Sequence, residues 1–271
     1  MLMRLKDGKA KAFTLSYDDG VVQDIRLVKL MDRHGVKGTF NINSGKYLPE
    51  ETEREKYYGR MKRSEALELF QNSDHEVAIH GYTHADLPLR SAQDILEEIR
   101  EDRLTAERDY SALIRGMAYA YGAYNADALA ALKLCGICYS RTTASTGRFR
   151  FPENWLTWHP TCHHKNPKLM ELADSFIRSQ GTAKLFYVWG HSYEFDNDDN
   201  WDLIEALLEK IGGREDIWYA TNIEIYDYVQ AYRSLIVSMD GKTVRNPSAT
   251  DVWFSDGENT YCVKAGQTLH M

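Results

Sequence analysis

Side chains able to bind a divalent metal or to transfer a proton lie in three short segments of this chain. The segments are SYDDG with Asp18 and Asp19, HGYTH with His80 and His84, and the apolar run LFYVW, which is followed by a glycine and His191. Two imidazoles four residues apart lie on one side of a helical turn and can share a cation such as Zn²⁺. Because no Glu follows His80, the HExxH motif of metalloproteases is excluded. The adjacent carboxylates can supply what the histidine pair lacks, a third metal ligand and a general base.

Composition excludes several classes of protein. The 271 residues carry 33 Lys and Arg against 40 Asp and Glu, and the net charge of −7 argues against binding to nucleic acid or to an anionic membrane surface. No apolar run approaches the roughly 20 residues that span a bilayer, so no membrane span is expected. The N-terminus lacks the apolar stretch of a secretion signal, which makes a cytoplasmic location the default expectation, or a secreted one if a leader was trimmed.

The hydrophobic pattern predicts repeated β/α units between residues 11 and 232. Predicted strands lie at 12–16, 38–43, 76–79, 116–119, 137–142, 185–189 and 217–220, and predicted helices at 22–34, 64–71, 91–110, 126–134, 168–179, 201–211 and 223–233. The strand runs are short and nearly continuously apolar, as in parallel strands that are covered on both faces. Seven such units indicate an α/β fold with a barrel-like parallel sheet.

The pattern changes after residue 233. Short β-like runs there are separated by Asp-Gly pairs and show no helical period. Asp-Gly between such runs is typical of hairpins. We therefore predict a barrel domain over 1–233 and a small antiparallel β appendage over 234–271.

Each of the three chemical segments directly follows a predicted strand. Asp18 and Asp19 follow the first strand, His80 follows the third, and His191 follows the sixth. In α/β barrels the carboxyl ends of the strands converge on one face, where catalytic groups lie. Random placement would rarely bring all of these side chains to the same face, so the sequence predicts one shared site.

The order and context of these motifs resemble the polysaccharide deacetylase family, the NodB-homology domain of carbohydrate esterase family 4. SYDDG at 16–20 is similar to the family's first motif, TFDDG, and HGYTH at 80–84 to its second, H-[ST]-x-x-H, with Gly81 at the hydroxyl position. GTFN at 38–41 looks like the family's second strand, and YAYGAY at 119–124 resembles its RxPYG motif. The resemblance covers roughly residues 10 to 230.

The resemblance implies a distorted (β/α) barrel in which Asp19, His80 and His84 bind a divalent metal. Zinc is the first expectation, with Co, Mn, Ni or Fe as alternatives. One carboxylate and two imidazoles leave open positions on such an ion, which suits hydrolysis rather than a purely structural role.

By the same resemblance, Asp18 is the general base, the backbone N–H of Tyr121 completes an oxyanion pocket, and His191 protonates the leaving amine. The implied activity is metal-dependent hydrolysis that removes an N-acetyl group from an amino sugar or polysaccharide by attack of an activated water. The implied partner is a carbohydrate.

The chain departs from the family pattern at two motifs. Counting back from Gly122, the motif Arg falls on Ala118, and we predict that Arg141 at the end of the next strand replaces it at the Asp18 carboxylate. The fourth motif, an Asp-bearing segment with a Trp, is matched only by PENW at 152–155, which leaves open the acid that pairs with the last histidine.

Aromatic and histidine residues extend the list of candidates. Trp155 and Tyr193 are predicted to line a sugar groove, because aromatic faces suit the apolar face of a pyranose. His159, His163 and His164 allow a second metal, but we favour a loop because no partner cluster with ligand spacing is evident.

Two alternatives to an amino-sugar deacetylase stay open. The missing motif Arg allows a catalytically retired barrel that binds glycan without hydrolysing it. The same residues also allow a deacylase that acts on a non-sugar amide or an O-acetyl ester, because nothing in the sequence determines the leaving group.

Overall fold

All seven predicted strands belong to one central sheet of eight parallel strands, which confirms the distorted (β/α) barrel. The structure is a computed structural model that describes residues 1–53 and 59–271. Its strands and α-helices in chain order are β1 (Leu2–Met3), β2 (Lys11–Asp18), α1 (Asp24–Arg33), β3 (Gly38–Ile42), α2 (Arg63–Phe70), β4 (Glu76–Ile79), α3 (Ala92–Tyr110), β5 (Gly116–Ala118), α4 (Ala126–Leu134), β6 (Tyr139–Arg141), β7 (Cys162–His163), α5 (Leu169–Arg178), β8 (Lys184–Gly190), α6 (Tyr193–Asn197), α7 (Trp201–Ile211), β9 (Ile217–Tyr219), α8 (Asn222–Arg233), β10 (Ile236–Val237), β11 (Thr243–Arg245), β12 (Val252–Ser255), β13 (Thr260–Val263) and β14 (Thr268–His270).

The barrel is irregular along one edge of β2 and at its closure. Along one edge, the first residues of β2 pair with β9 and the last with β3, so two strands share that edge. The other edge of β2 pairs with β8, and β8 pairs with β7. Trp158 bridges to Arg141 at the end of β6, so the segment 158–163 connects β6 to β8. The sequence did not reveal β7, which is only two residues long.

The seven predicted helices correspond to α1–α5, α7 and α8, with ends within two residues of the predicted ones. Ser91 is the N-cap residue of α3, because its Oγ accepts a hydrogen bond from the Asp94 backbone N–H at 3.2 Å. The five-residue helix α6 was not predicted. It begins two residues after His191 and therefore lies beside the candidate site.

Strand β2 is apolar on both faces because its two faces contribute to two different core clusters. Phe13, Leu15 and Tyr17 belong to the large core cluster that also includes side chains of the surrounding helices, whereas Ala12 belongs to a second cluster. Side chains alternate along a strand, so Ser16 and Asp18 share the face of Ala12. Asp18 is thus the last residue of a column that becomes polar toward the carboxyl end of β2.

The C-terminal appendage consists of two small antiparallel sheets, β10-β11-β14 and β1-β12-β13. The first strand of the chain belongs to the second sheet, because Leu2 pairs with Ser255 and Met3 with Phe254. This sheet therefore includes residues outside 234–271. A strand of only two residues has no recognisable pattern, so the pairing of β1 could not be predicted from the sequence. None of the helices in the described ranges is both long and apolar enough to cross a membrane.

Candidate active site

Asp19, His80 and His84 lie together, with one ligand atom of each within 4.8 Å of the others. The Asp19 Oδ1 atom is 3.9 Å from His80 Nε2 and 3.6 Å from His84 Nε2. Two ligands of one zinc ion, each bonded at about 2.0–2.2 Å, lie up to about 4 Å apart, so these separations fit a shared ion. Asp19 Oδ1 is also buried and accepts no hydrogen bond, which leaves its lone pairs for a cation. The three side chains therefore fit a divalent metal.

Three site residues have a left-handed backbone, which is uncommon for residues other than glycine. The φ angles are 87° at Asp19, 61° at His84 and 59° at Tyr121. At Asp19 this angle ends the alternation of β2, so neighbouring carboxylates can both face the site. The chain therefore turns at Asp19, one residue before Gly20. Such strained conformations persist where the surrounding structure imposes them, and they cluster at functional sites.

A hydrogen bond orients the His80 ring and decides which ring nitrogen stays free. Its Nδ1 lies 2.7 Å from the carbonyl oxygen of Ala118, an arrangement that places the proton on Nδ1 and leaves Nε2 free. Burial lowers the pKa of His80. Burial, and then the neighbouring His80, lower the pKa of His84 to about 4. Both imidazoles are therefore neutral near pH 7, which is the form that binds metal.

Two carboxylates of α3 hold the loop that carries the histidines. The fully buried Asp102 accepts a hydrogen bond from the His80 N–H at 3.1 Å, and Glu98 accepts one from the Thr83 N–H at 2.6 Å. The sequence analysis missed both residues. A signal for Asp102 was present, because it interrupts the apolar stripe that Ile95 and Ile99 begin on α3.

Asp18 lies beside Asp19 and the two histidines but makes hydrogen bonds and an ion pair of its own. Its Oδ1 accepts a hydrogen bond from Asn41 Nδ2 at 2.8 Å, and its Oδ2 is in close contact with Arg141 Nη2. Arg141 is fully buried, with its guanidinium 4.3 Å from the ring centre of Trp189. Burial alone would raise the pKa of Asp18, but Arg141, followed by His80 and His191, lowers it below its usual value. Asp18 is therefore ionised and oriented, as a general base must be.

His191 lies across the site from His80 and His84. Its Nε2 is 3.9 Å from Asp18 Oδ2, and its Nδ1 is 3.3 Å from Glu194 Oε2. Burial alone would lower the pKa of His191, but the hydrogen bond with Glu194 and the charges of Asp18 and Asp19 raise it. Glu194 lies three residues after His191, in the first turn of α6, which brings its carboxylate within reach of the imidazole.

The family model of polysaccharide deacetylases matches residues 5–140, which is half of the chain. The chain belongs to the polysaccharide deacetylase family. No curated protein matches it in sequence.

Solved structures of polysaccharide deacetylases and related esterases share the fold at low sequence identity. A protein from Mycobacterium smegmatis thought to be a polysaccharide deacetylase is 14% identical, with a TM-score of 0.60 over 86% of this chain and 94% of that one. The CE4 domain of a multidomain xylanase from the hindgut metagenome of Trinervitermes trinervoides is 16% identical, with a TM-score of 0.53 over 82% and 92%. The chain spans 61% of the length of a Streptococcus pyogenes deacetylase in complex with acetate, which is 18% identical with a TM-score of 0.46 over 53% of this chain.

Strand register explains how this member of the polysaccharide deacetylase family can lack the arginine of the third motif. Ala118, at the motif position, pairs directly with Arg141 on the neighbouring parallel strand. Neighbouring strands are about 4.8 Å apart, a distance that a guanidinium side chain can cover. Arg141 therefore reaches Asp18 from the adjacent strand.

A second group of possible ligands consists of His163, His191 and Glu194. His163 Nε2 lies 3.1 Å from Glu194 Oε2, while the Lys165 backbone N–H donates to His163 Nδ1 at 3.1 Å. An Nδ1 that accepts a hydrogen bond leaves the proton on Nε2, so His163 donates to Glu194 and does not offer a free lone pair there. We interpret this group as hydrogen bonds around Glu194. His159 contacts Thr142 instead, at 2.5 Å.

Of the two aromatic residues predicted to bind sugar, only Tyr193 is at the site. Its ring centre is 5.1 Å from that of His191, and it is half-buried. Trp155 is only 7% exposed, and its ring packs edge-on against Trp158 and against Tyr226 of α8, so its contact with sugar stays a prediction. Its large apolar surface is used in the core. Tyr121 is 66% exposed and lies edge-on to His84, with ring centres 4.7 Å apart.

Proposed function

We propose that this protein is a metal-dependent hydrolase that removes the N-acetyl group from an amino sugar or polysaccharide. One observation carries the proposal. The metal-ligand group of Asp19, His80 and His84 adjoins a buried, ionised Asp18 held by Arg141, and His191 lies across from it. A binding protein would not need a base and an acid beside its metal ligands.

The proposed chemistry divides among these side chains. A divalent ion at Asp19, His80 and His84 would supply Lewis acidity toward the acyl oxygen and toward a water molecule. Asp18 accepts the proton of the attacking water, and its contact with Arg141 keeps it ionised for that step. His191 donates a proton to the leaving amine nitrogen.

The backbone at Tyr121 would add an oxyanion donor. Its N–H is proposed to point at the acyl oxygen, where negative charge develops in the transition state. The left-handed φ of 59° and the contact of its ring with His84 hold this residue beside the metal ligands. The exposed ring of Tyr121 and the half-buried ring of Tyr193 are proposed to contact the sugar.

The experiment that tests the proposal measures metal content and acetate release together. N-acetylglucosamine oligomers of increasing length would be compared with O-acetylated sugars. We expect one divalent ion per chain, and acetate release from the N-acetyl substrates that stops on chelation and returns with Zn²⁺. Full metal loading without hydrolysis of any substrate would favour the glycan-binding barrel. Release from the O-acetyl substrates alone would favour the esterase.

Replacing Glu194 with Gln is expected to lower the turnover number about tenfold and leave the metal content unchanged. The substitution removes the charge that helps to raise the pKa of His191 against the effect of burial. The pKa of His191 should therefore fall, and the alkaline limb of the pH–rate profile should move to lower pH. Metal analysis and rate profiles, with the exposed Glu209→Gln as control, check both points. Loss of the metal would show instead that Glu194 is a ligand.

A further inference from the structure

Arg60 places a guanidinium group directly beside the metal-ligand group. Its Nη2 lies 2.9 Å from Asp19 Oδ1, and its Nη1 donates to Asn43 Oδ1 at 2.6 Å and contacts the backbone oxygen of Asp19. The sequence analysis did not single out Arg60. It follows a long connection after β3 and belongs to none of the motifs.

The contact between Arg60 and Asp19 engages the oxygen that faces the two histidines. Asp19 Oδ1 is the atom that lies 3.6 Å from His84 Nε2 and 3.9 Å from His80 Nε2. Although Arg60 Nη2 is close, this oxygen accepts no hydrogen bond. The attraction is therefore one between charges, without a directed bond, and the lone pairs of Oδ1 remain available to an ion.

Several bonds hold the guanidinium group in place. Besides the two contacts of Nη1, the backbone of Arg60 bridges to Val21, and the Met61 N–H donates to the Gly20 oxygen at 2.9 Å. The bonding partner Asn43 is itself fixed, because its Nδ2 donates to the His80 oxygen at 2.8 Å. Withdrawing the guanidinium would break these contacts, so it stays beside the site when a cation binds.

A fixed positive group beside a bound divalent ion repels the ion and so lowers the affinity of the site for it. Only 22% of the Arg60 side chain and 13% of the Asp19 side chain are exposed, so water screens the repulsion incompletely. Arg141 does not have this effect in the same way, because it pairs with the Asp18 carboxylate. Arg60 instead lies against Asp19 Oδ1, the oxygen that would also bind the ion.

We propose that Arg60 weakens binding of the divalent ion at Asp19, His80 and His84, so that the ion is held loosely and exchanges. The inference rests on the metal site of the proposed function. It assigns Arg60 a tuning effect through charge, separate from any role in holding the loops.

The test compares two substitutions that both remove the guanidinium fork. Arg60→Met removes the charge and keeps most of the aliphatic stem, whereas Arg60→Lys keeps a positive charge. Zinc dissociation constants would be measured by competition with a chelator of known affinity. We expect Arg60→Met to bind Zn²⁺ at least about tenfold more tightly than the wild type, and Arg60→Lys to stay within about threefold of it. Release of Zn²⁺ from Arg60→Met should be correspondingly slower.

Controls separate this inference from the proposed function. Arg26→Met, on the surface over the Trp201 ring, should leave zinc affinity unchanged. Arg60→Gln is a second neutral variant in case Arg60→Met does not fold, as judged by its unfolding midpoint. If the neutral variants bind zinc no more tightly than the wild type and Arg60→Lys, the inference is overturned while the metal site stands. If the wild type and all variants fail to bind zinc, the inference and the metal-dependent function both fail.

Discussion

Replacing Asp18 with Asn is expected to reduce deacetylation by at least about 10²-fold while the metal stays bound. An amide oxygen can still accept the hydrogen bond from Asn41, which lies 2.8 Å from Asp18 Oδ1, but it cannot take a proton from water. The amide nitrogen would then face Arg141, so that a hydrogen-bond donor of the new amide group would oppose a donor of the guanidinium group. Turnover should fall because the base is lost, not because the ion is lost.

Metal analysis of purified Asp18→Asn, alongside initial rates of acetate release, checks this expectation. Asp19→Asn is the matched variant, since it changes the neighbouring carboxylate that faces His80 and His84. It should lose metal and activity together. If Asp18→Asn loses its metal, Asp18 is a ligand. If its turnover is unchanged, Asp18 has no part in the reaction.

Replacing Arg141 with Ala is expected to lower the turnover number about 30- to 100-fold, again with the metal retained. The substitution leaves Asp18 buried without the charge that offsets burial, so the pKa of Asp18 should rise toward and above its usual value. A base with a raised pKa is protonated at higher pH. The acidic limb of the pH–rate profile should therefore move to higher pH, and part of the lost activity should return as the pH rises.

Arg141→Lys should recover only part of the activity, because an ammonium group keeps the charge but cannot make the planar fork of a guanidinium. The control is Arg115→Ala, which removes an arginine that pairs with Asp227 on the outside of the barrel. Unfolding midpoints would show whether loss of a buried arginine destabilises the fold. A rate for Arg141→Ala within twofold of the wild type, with an unshifted profile, would contradict the role of Arg141 in orienting and ionising Asp18.

Local patterns in the sequence were sufficient for the elements and for most of the chemical groups. The alternation of apolar strands and amphipathic helices is a property of short segments, so it predicted seven strands and seven helices to within two residues. Asp18, Asp19, His80, His84 and His191 were identifiable because the three segments that carry them follow such strands, and the carboxyl ends of parallel strands meet at one face of a barrel.

The orientation and the supporting contacts of those groups depended on the tertiary structure. Arg141 reaches Asp18 because strand register places it opposite Ala118, and register depends on pairing between segments far apart in the chain. Asp102 holds His80 through a helix that packs on the barrel. The left-handed turn at Asp19 is a strained backbone state, which surrounding packing imposes and local preference opposes.

Burial was likewise decided by the tertiary structure. Trp155 was predicted to bind sugar from its type, but an aromatic ring serves a core equally well, and the packing of Trp155 against Tyr226 of α8 depends on the tertiary structure. Arg60 belongs to no motif and reaches Asp19 from a distant segment of the chain. The sequence alone thus determined which groups are available for chemistry. The fold determined which of them meet, because contacts between distant segments are not encoded in local periodicity.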